Sequence, residues 1–249
     1  MFSSLVERWV ATRQGFKPRD VEEPIDYYWH RPLAGLLVQL LEPTRITPNH
    51  VTVLSGVSGA LAGVAILAVW WLGPWMSVVA AVFIFASIVL DCADGQLARI
   101  RGIESPVGRM LDGLMDSVTP LFVFHGMAFL MWWTGYPFAL VWAVAACASG
   151  SLLWHAQMYD VNKNIYLHCS RPDFSLGGAT LVSTDDLQQL SAEYRANGER
   201  TNALILKIGA AWTKPQMSTL LPWLDDIRSP RDEAERVLFL SVYRQPMRV

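Results

Sequence analysis

The chain has 249 residues, room for one domain or a domain with an appendage, and 52% of them are apolar, with a mean hydropathy of +0.26. The formal net charge of −2 comes with no basic tail and no Lys/Arg block, so nucleic acid is not an expected partner. Three cysteines are unevenly placed, two of them (Cys92 and Cys147) in apolar runs, which argues against a disulfide framework or a zinc site.

Residues 1–47 read as an N-terminal cytoplasmic or interfacial segment. The first 24 residues mix charges with apolar residues and show no apolar core of a cleavable signal peptide. From Ile25 to Leu41 the pattern is amphipathic. Tyr27, Tyr28, Trp29, Leu33, Leu36, Leu37, Leu40 and Leu41 supply apolar and aromatic surface, and His30, Arg31, Gln39 and Glu42 supply polar surface. This predicts a helix lying in the membrane interface, ended by Pro43.

Four runs then approach the roughly 20 apolar residues that cross a bilayer. They lie at about 51–72, 74–98, 107–132 and 137–160. Short connections at Gly73-Pro74 and at Thr134 to Pro137 force antiparallel neighbours. The first run carries Gly56, Gly59 and Gly63, whose spacing suits close helix approach. Pro120 predicts a kink in the third, and His125 an interhelical hydrogen bond. The expected fold is all-α: a polytopic transmembrane bundle over 48–165, with the interfacial helix before it and a helical cytoplasmic or interfacial tail over 166–249. In that tail, residues 163–183 read as a loop and helices are expected near 185–212 and 230–243, each too charged to span. There are no internal repeats.

Charge sets the expected orientation. No Lys or Arg occurs from Ile46 to Ala98, and none from Met110 to Asn162. The positive-inside rule then places the N-terminal segment, the 99–106 loop and the tail in the cytoplasm. Trp70, Trp71 and Trp75, with Trp132, Trp133 and Tyr136, mark the far interface. For a bacterial chain this is the cytoplasmic membrane.

Asp91 and Asp94 close the second run, and Asp112 and Asp116 open the third. Intramembrane acids are costly and mark function by default. Members of each pair stand three or four residues apart, on one helix face. Two antiparallel helices joined by a short turn bring such faces together, so the four carboxylates are expected to converge. Like charges at that range oppose one another's ionisation, and one or two hard divalent cations resolve the conflict. Mg²⁺, Mn²⁺ or Ca²⁺ suit an all-oxygen donor set. A two-ion site suits phosphoryl transfer, and Arg99 can add charge-assisted bonds to phosphate. Gly95, Ala98 and Gly108 share faces with the acids and leave room for a bulky group.

Asp91-Cys-Ala-Asp94-Gly95-Gln-Leu-Ala98-Arg99, eight residues, then Gly108-Arg-Met-Leu-Asp112-Gly-Leu-Met-Asp116 resembles the signature of the CDP-alcohol phosphotransferases. That signature reads D-x2-D-G-x2-A-R-x8-G-x3-D-x3-D, and every specified position matches. Pro48-Asn49-His-Val-Thr52 resembles the family's Pro-Asn-x-x-Thr opening of the first span. The resemblance covers about 25–165. It implies that Asp91, Asp94 and Asp112 hold two Mg²⁺ or Mn²⁺ ions on the diphosphate of a CDP-alcohol donor. Asp116 would complete the metal set and act as general base on a hydroxyl acceptor, with release of CMP. Gly95, Ala98, Arg99, Gly108, Asn49 and Thr52 would bind the donor. Family members usually have six spans, so four suggest a truncated sequence or a divergent member, and a four-span bundle is expected to recruit a lipid or a second protomer. His155 and Asp160 are candidates for acceptor recognition. A divalent-cation transporter or sensor also uses intramembrane acids, and an inactive relative retaining the donor site is a third reading.

Overall fold

A computed structural model of the chain describes Phe16, residues 23–170 and residues 184–228. The described residues form seven α-helices and no strand. A π-helical turn, Asp26–His30, leads into α1 (Arg31–Leu41). Next come α2 (Pro48–Leu72), α3 (Met76–Arg101), α4 (Pro106–Trp133) and α5 (Phe138–Ser170), and then α6 (Thr184–Ala196) and α7 (Arg200–Arg228). Four helices among the described residues are long and apolar enough to cross a membrane: α2, α3, α4 and the Phe138–Asp160 part of α5. The four expected runs and the all-α bundle are therefore present.

The helix boundaries reflect local chemistry. The Thr47 hydroxyl accepts the His50 N–H at 3.3 Å, and the His50 ring accepts the Thr47 N–H at 3.2 Å, a reciprocal cap on α2 with Pro48 in its first turn. Gly102, at φ 63°, ends α3, and the Ile103 N–H returns to the Ala98 carbonyl at 3.1 Å. Ser105 caps α4 by accepting the Gly108 N–H at 3.0 Å, again with Pro at the helix start.

The described chain divides into two units. One gathers the residues up to Glu104 with Leu111–Leu153, and the other gathers Ser105–Met110 with the residues from Trp154 on. In the first unit, α2 and α3 are tied by reciprocal serine bonds. Ser58 Oγ donates to the Phe83 carbonyl and Ser87 Oγ to the Ser55 carbonyl, both at 2.9 Å. The glycines of α2 seat α4, as their spacing suggests. A Cβ on Gly56 would stand 2.6 Å from Met115 Sδ, and one on Gly63 would stand 2.5 Å from the Phe122 carbonyl oxygen. Gly59 faces Thr119 with no room for a methyl. The far ends of α2 and α4 meet through aromatics, with Trp70 and Trp71 rings 6.3 and 6.5 Å from the Trp133 ring.

Helix α1 packs on the acid-bearing helix through Ala34, Val38, Cys92, Ala93 and Leu97, with Val51 of α2. Its faces are assigned differently from the expectation drawn from its sequence. His30 and Arg31 are buried, Arg31 to 5% exposure, while Trp29, Leu36 and Leu40 face outward. An exterior of lipid favours apolar residues, so the polar residues turn toward the protein. His125 also departs from expectation. Its Nδ1–H donates to the Leu121 carbonyl of its own helix at 2.8 Å, and its contact with α5 is the ring of Trp142 at 5.6 Å. Pro120 lies inside α4.

In the second unit, Val107, Leu187, Leu206 and Ala210 form a small core with Met110 and Tyr194 around them. The described part of the tail, 184–228, is mostly helical, but the single helix expected over 185–212 is two, broken where Gly198 takes φ 84°. Residues 163–170, expected as the start of a loop, belong to α5, which runs on to Ser170, and residues 171–183 lie outside the described residues. The helix expected near 230–243 lies outside the described residues.

Candidate active site

The acids arrive on two helices. Asp91 and Asp94 stand on α3, Asp112 and Asp116 near the start of α4. Carboxylate oxygens of Asp91, Asp112 and Asp116 all lie within 4.8 Å of one another. Asp94 is not a member of that set. Three residues on from Asp91, it is turned about 60° around the helix axis, toward the protein side, and is 5% exposed. Asp91 and Asp112 are half-buried and Asp116 is exposed. Asp116 is thus the member of the trio most open to the surroundings.

The donor set suits a hard cation. Three carboxylates within one coordination sphere's width, with no thiol or imidazole among them, fit Mg²⁺, Mn²⁺ or Ca²⁺ better than a softer metal.

One turn away, a polar contact joins the two helices. The Ser87 and Thr119 hydroxyls are 3.1 Å apart, four residues before Asp91 and three after Asp116. Because Ser87 spends its proton on the Ser55 carbonyl, Thr119 donates to Ser87. Pro120 cannot donate to the carbonyl four residues back, which is that of Asp116.

The other motif residues are more dispersed. Gly95 makes space for Arg99, whose guanidinium nitrogens lie 3.3 and 3.6 Å from where a Cβ on Gly95 would stand. Ala98 is half-buried. Asn49, in the first turn of α2, is half-buried. Thr52 is buried, and its hydroxyl donates to the Pro48 carbonyl at 3.1 Å. Gly108 belongs to the second unit, as do Arg109, His155 and Asp160. There Asp160 bonds Lys163 at 3.1 Å and lies 3.8 Å from Arg109.

Comparison with known proteins agrees with the motif. The model of the CDP-alcohol phosphatidyltransferase family matches residues 45–169, half of the chain. The chain belongs to the CDP-alcohol phosphatidyltransferase family. It is an integral membrane protein of that family, whose members generally use divalent metal ions. A phosphatidylinositol phosphate synthase of Corynebacterium glutamicum is 31% identical over 129 residues, 48% of this chain and 51% of that protein. One from Cutibacterium acnes is 29% identical over 120 residues, 47% of this chain and 52% of that protein. The chain spans about half the length of these curated relatives.

Three contributors to the helices that carry this CDP-alcohol phosphatidyltransferase motif are absent from the expectations drawn from the sequence. Ser105 was legible as a Ser-Pro helix start. The Ser87–Thr119 node was not, because an intramembrane hydroxyl bonds its own helix as readily as another. Arg101 was not, because its partners are 55 to 60 residues away.

Proposed function

We propose that this chain transfers a phosphoalcohol group from a CDP-alcohol to a hydroxyl acceptor, with release of CMP, in phospholipid biosynthesis. The observation that carries this is the meeting of Asp91, Asp112 and Asp116 within 4.8 Å, from two helices, inside the complete family motif.

In this reading Asp91, Asp94, Asp112 and Asp116 hold one or two Mg²⁺ or Mn²⁺ ions. Bound there, the ions neutralise the donor diphosphate and the charge that develops during transfer. Asn49, Thr52, Gly95, Ala98 and Gly108 receive the cytidine nucleotide, and Arg99 pairs with phosphate. Asp116, the exposed member, takes the proton of the acceptor hydroxyl. That oxygen attacks the β-phosphorus, the bond to the bridging oxygen breaks, and CMP leaves with the electron pair. The gap in positive charge from Ile46 to Ala98 supports a site facing the cytoplasm.

The relatives' names put inositol phosphate at the head of the acceptors to try. A transporter or sensor gives no account of the Gly, Ala and Arg positions of the motif and is not favoured. The test is CMP release by purified protein given CDP-diacylglycerol, Mg²⁺ or Mn²⁺, and a panel of acceptors: inositol phosphate, glycerol phosphate, serine, choline and ethanolamine. Acceptor-dependent CMP release supports the reading. No CMP release with any acceptor and no binding of CDP-alcohol would sink it.

A further inference from the structure

Arg101 stands in the last turn of α3, two residues beyond Arg99. Two residues on a helix are turned about 200° apart, so the two arginines leave α3 on opposite sides. Arg99 folds back over Gly95. Arg101 reaches the loop between α1 and α2. Its Nη1 donates to the Ile46 carbonyl at 2.5 Å, and its Nη2 reaches the carbonyls of Leu41, Glu42 and Thr44 at 2.8, 3.1 and 3.0 Å.

One guanidinium thus gathers four main-chain carbonyls. Those of Leu41 and Glu42 lie at the C-terminal end of α1, and the Leu41 carbonyl also accepts the Thr44 N–H at 2.9 Å in a closing turn. The planar fork of Arg, with five donors, can serve the whole set, and an ammonium, whose donors share one atom, can serve only part of it. Among the described residues its hydrogen-bond partners are main-chain carbonyls, so the grip acts on the path of the loop and not on its side chains. Within the loop, the Thr44 hydroxyl donates to the Leu41 carbonyl at 2.6 Å and accepts the Ile46 N–H at 3.2 Å.

The place of this loop in the chain gives the grip its meaning. Thr47 caps α2 immediately after Ile46, and Asn49 stands in the first turn. Only Thr47 and Pro48 separate the last gathered carbonyl, that of Ile46, from Asn49. The helix that bears Asp91 and Asp94 therefore also holds, through Arg101, the loop that feeds Asn49 and Thr52.

We propose that Arg101 is a positioning residue for nucleotide binding: it fixes the start of α2 against the acid-bearing helix, and so sets where Asn49 meets the donor. This rests on the transferase reading above. Arg101 touches no reacting atom in it.

The test is a double-mutant cycle in the purified full chain, with equilibrium binding of CMP and CDP-diacylglycerol in Mg²⁺ and steady-state CMP release. Arg101→Ala should weaken donor binding and raise its KM by about tenfold, with kcat at saturating donor within about twofold of the parent. In an Asn49→Ala background, the same substitution should cost little more, because both act through one contact. Arg101→Lys keeps a donor and should recover part of the loss. Donor binding unchanged in Arg101→Ala, effects that add in the double variant, or no recovery with Lys would each overturn the proposal. A parent protein that binds neither CMP nor CDP-diacylglycerol would overturn the transferase reading and this proposal with it. A parent that binds them while Arg101→Ala binds equally well overturns the positioning role alone.

Discussion

The hydroxyls of Ser87 and Thr119 lie 3.1 Å apart, each within one helical turn of an acid of the candidate active site. With Ser87 donating to the Ser55 carbonyl, three membrane helices share one short chain of hydrogen bonds. A side-chain contact therefore links the acid-bearing helices about one turn from the acids. Thr119→Val keeps the shape and removes the donor. It should lower stability by about 0.6 kcal/mol, the usual scale of an interhelical bond in a membrane bundle. Thermal unfolding in detergent measures this, and no change would show the node to be incidental.

Gly63 and Gly150 make a matched pair. A methyl on Gly63 would meet the main chain at Phe122, which no rotamer change can relieve, whereas Gly150 has open space around its Cα. Gly63→Ala should destabilise by about 1–3 kcal/mol through overpacking. Gly150→Ala should be neutral or stabilise by up to about 1 kcal/mol, from helix propensity alone. The same unfolding assay reads both, and equal effects would refute the seating of α4 on α2.

Removal of the divalent ion should stop transfer and restoring it should bring transfer back. Asp91→Asn and Asp112→Asn should each abolish CMP release while the protein stays monodisperse, since each removes one carboxylate of the trio within 4.8 Å. Full turnover in chelator would exclude a metal role for the cluster.

Asp116 is exposed where its two partners are half-buried. In the proposed role of base it would act on the acceptor more than on the donor. Asp116→Asn should retain measurable CDP-alcohol binding and lose turnover by about 10²-fold or more. Donor binding measured beside single-turnover rates separates the roles, and an equal loss of both would make Asp116 chiefly a metal ligand.

The orientation can be read with single cysteines placed in a background lacking Cys92, Cys147 and Cys169. A thiol at Gly135 should react with an impermeant reagent added outside intact cells. A thiol at Ile103 should react only after permeabilisation. The reverse pattern would put the acids on the outer face.

The positions of the four membrane helices were legible in the sequence because the signal is one-dimensional. A run of about 20 apolar residues with no charge has few other places to go. The acid motif was legible for a related reason. Spacing on a helix is local, so Asp91 with Asp94 and Asp112 with Asp116 could be assigned to faces without knowing the fold. The glycines of α2 announced a close contact, but not that α4 makes it.

Which way each face turns was decided only by tertiary structure. Inside a bilayer the exterior is as apolar as the core, so hydropathy does not separate Leu40, which faces out, from Val38, which is buried. The same ambiguity hid the inward turn of His30 and Arg31, and the burial of Asp94 beside the half-buried Asp91. In the sequence Arg101 is one of two arginines in the expected 99–106 loop, with nothing to single it out. Its four carbonyl partners lie more than 50 residues earlier in the chain. Carbonyls are present in every residue and leave no mark in a sequence, so only the folded path of the loop could bring them to one guanidinium.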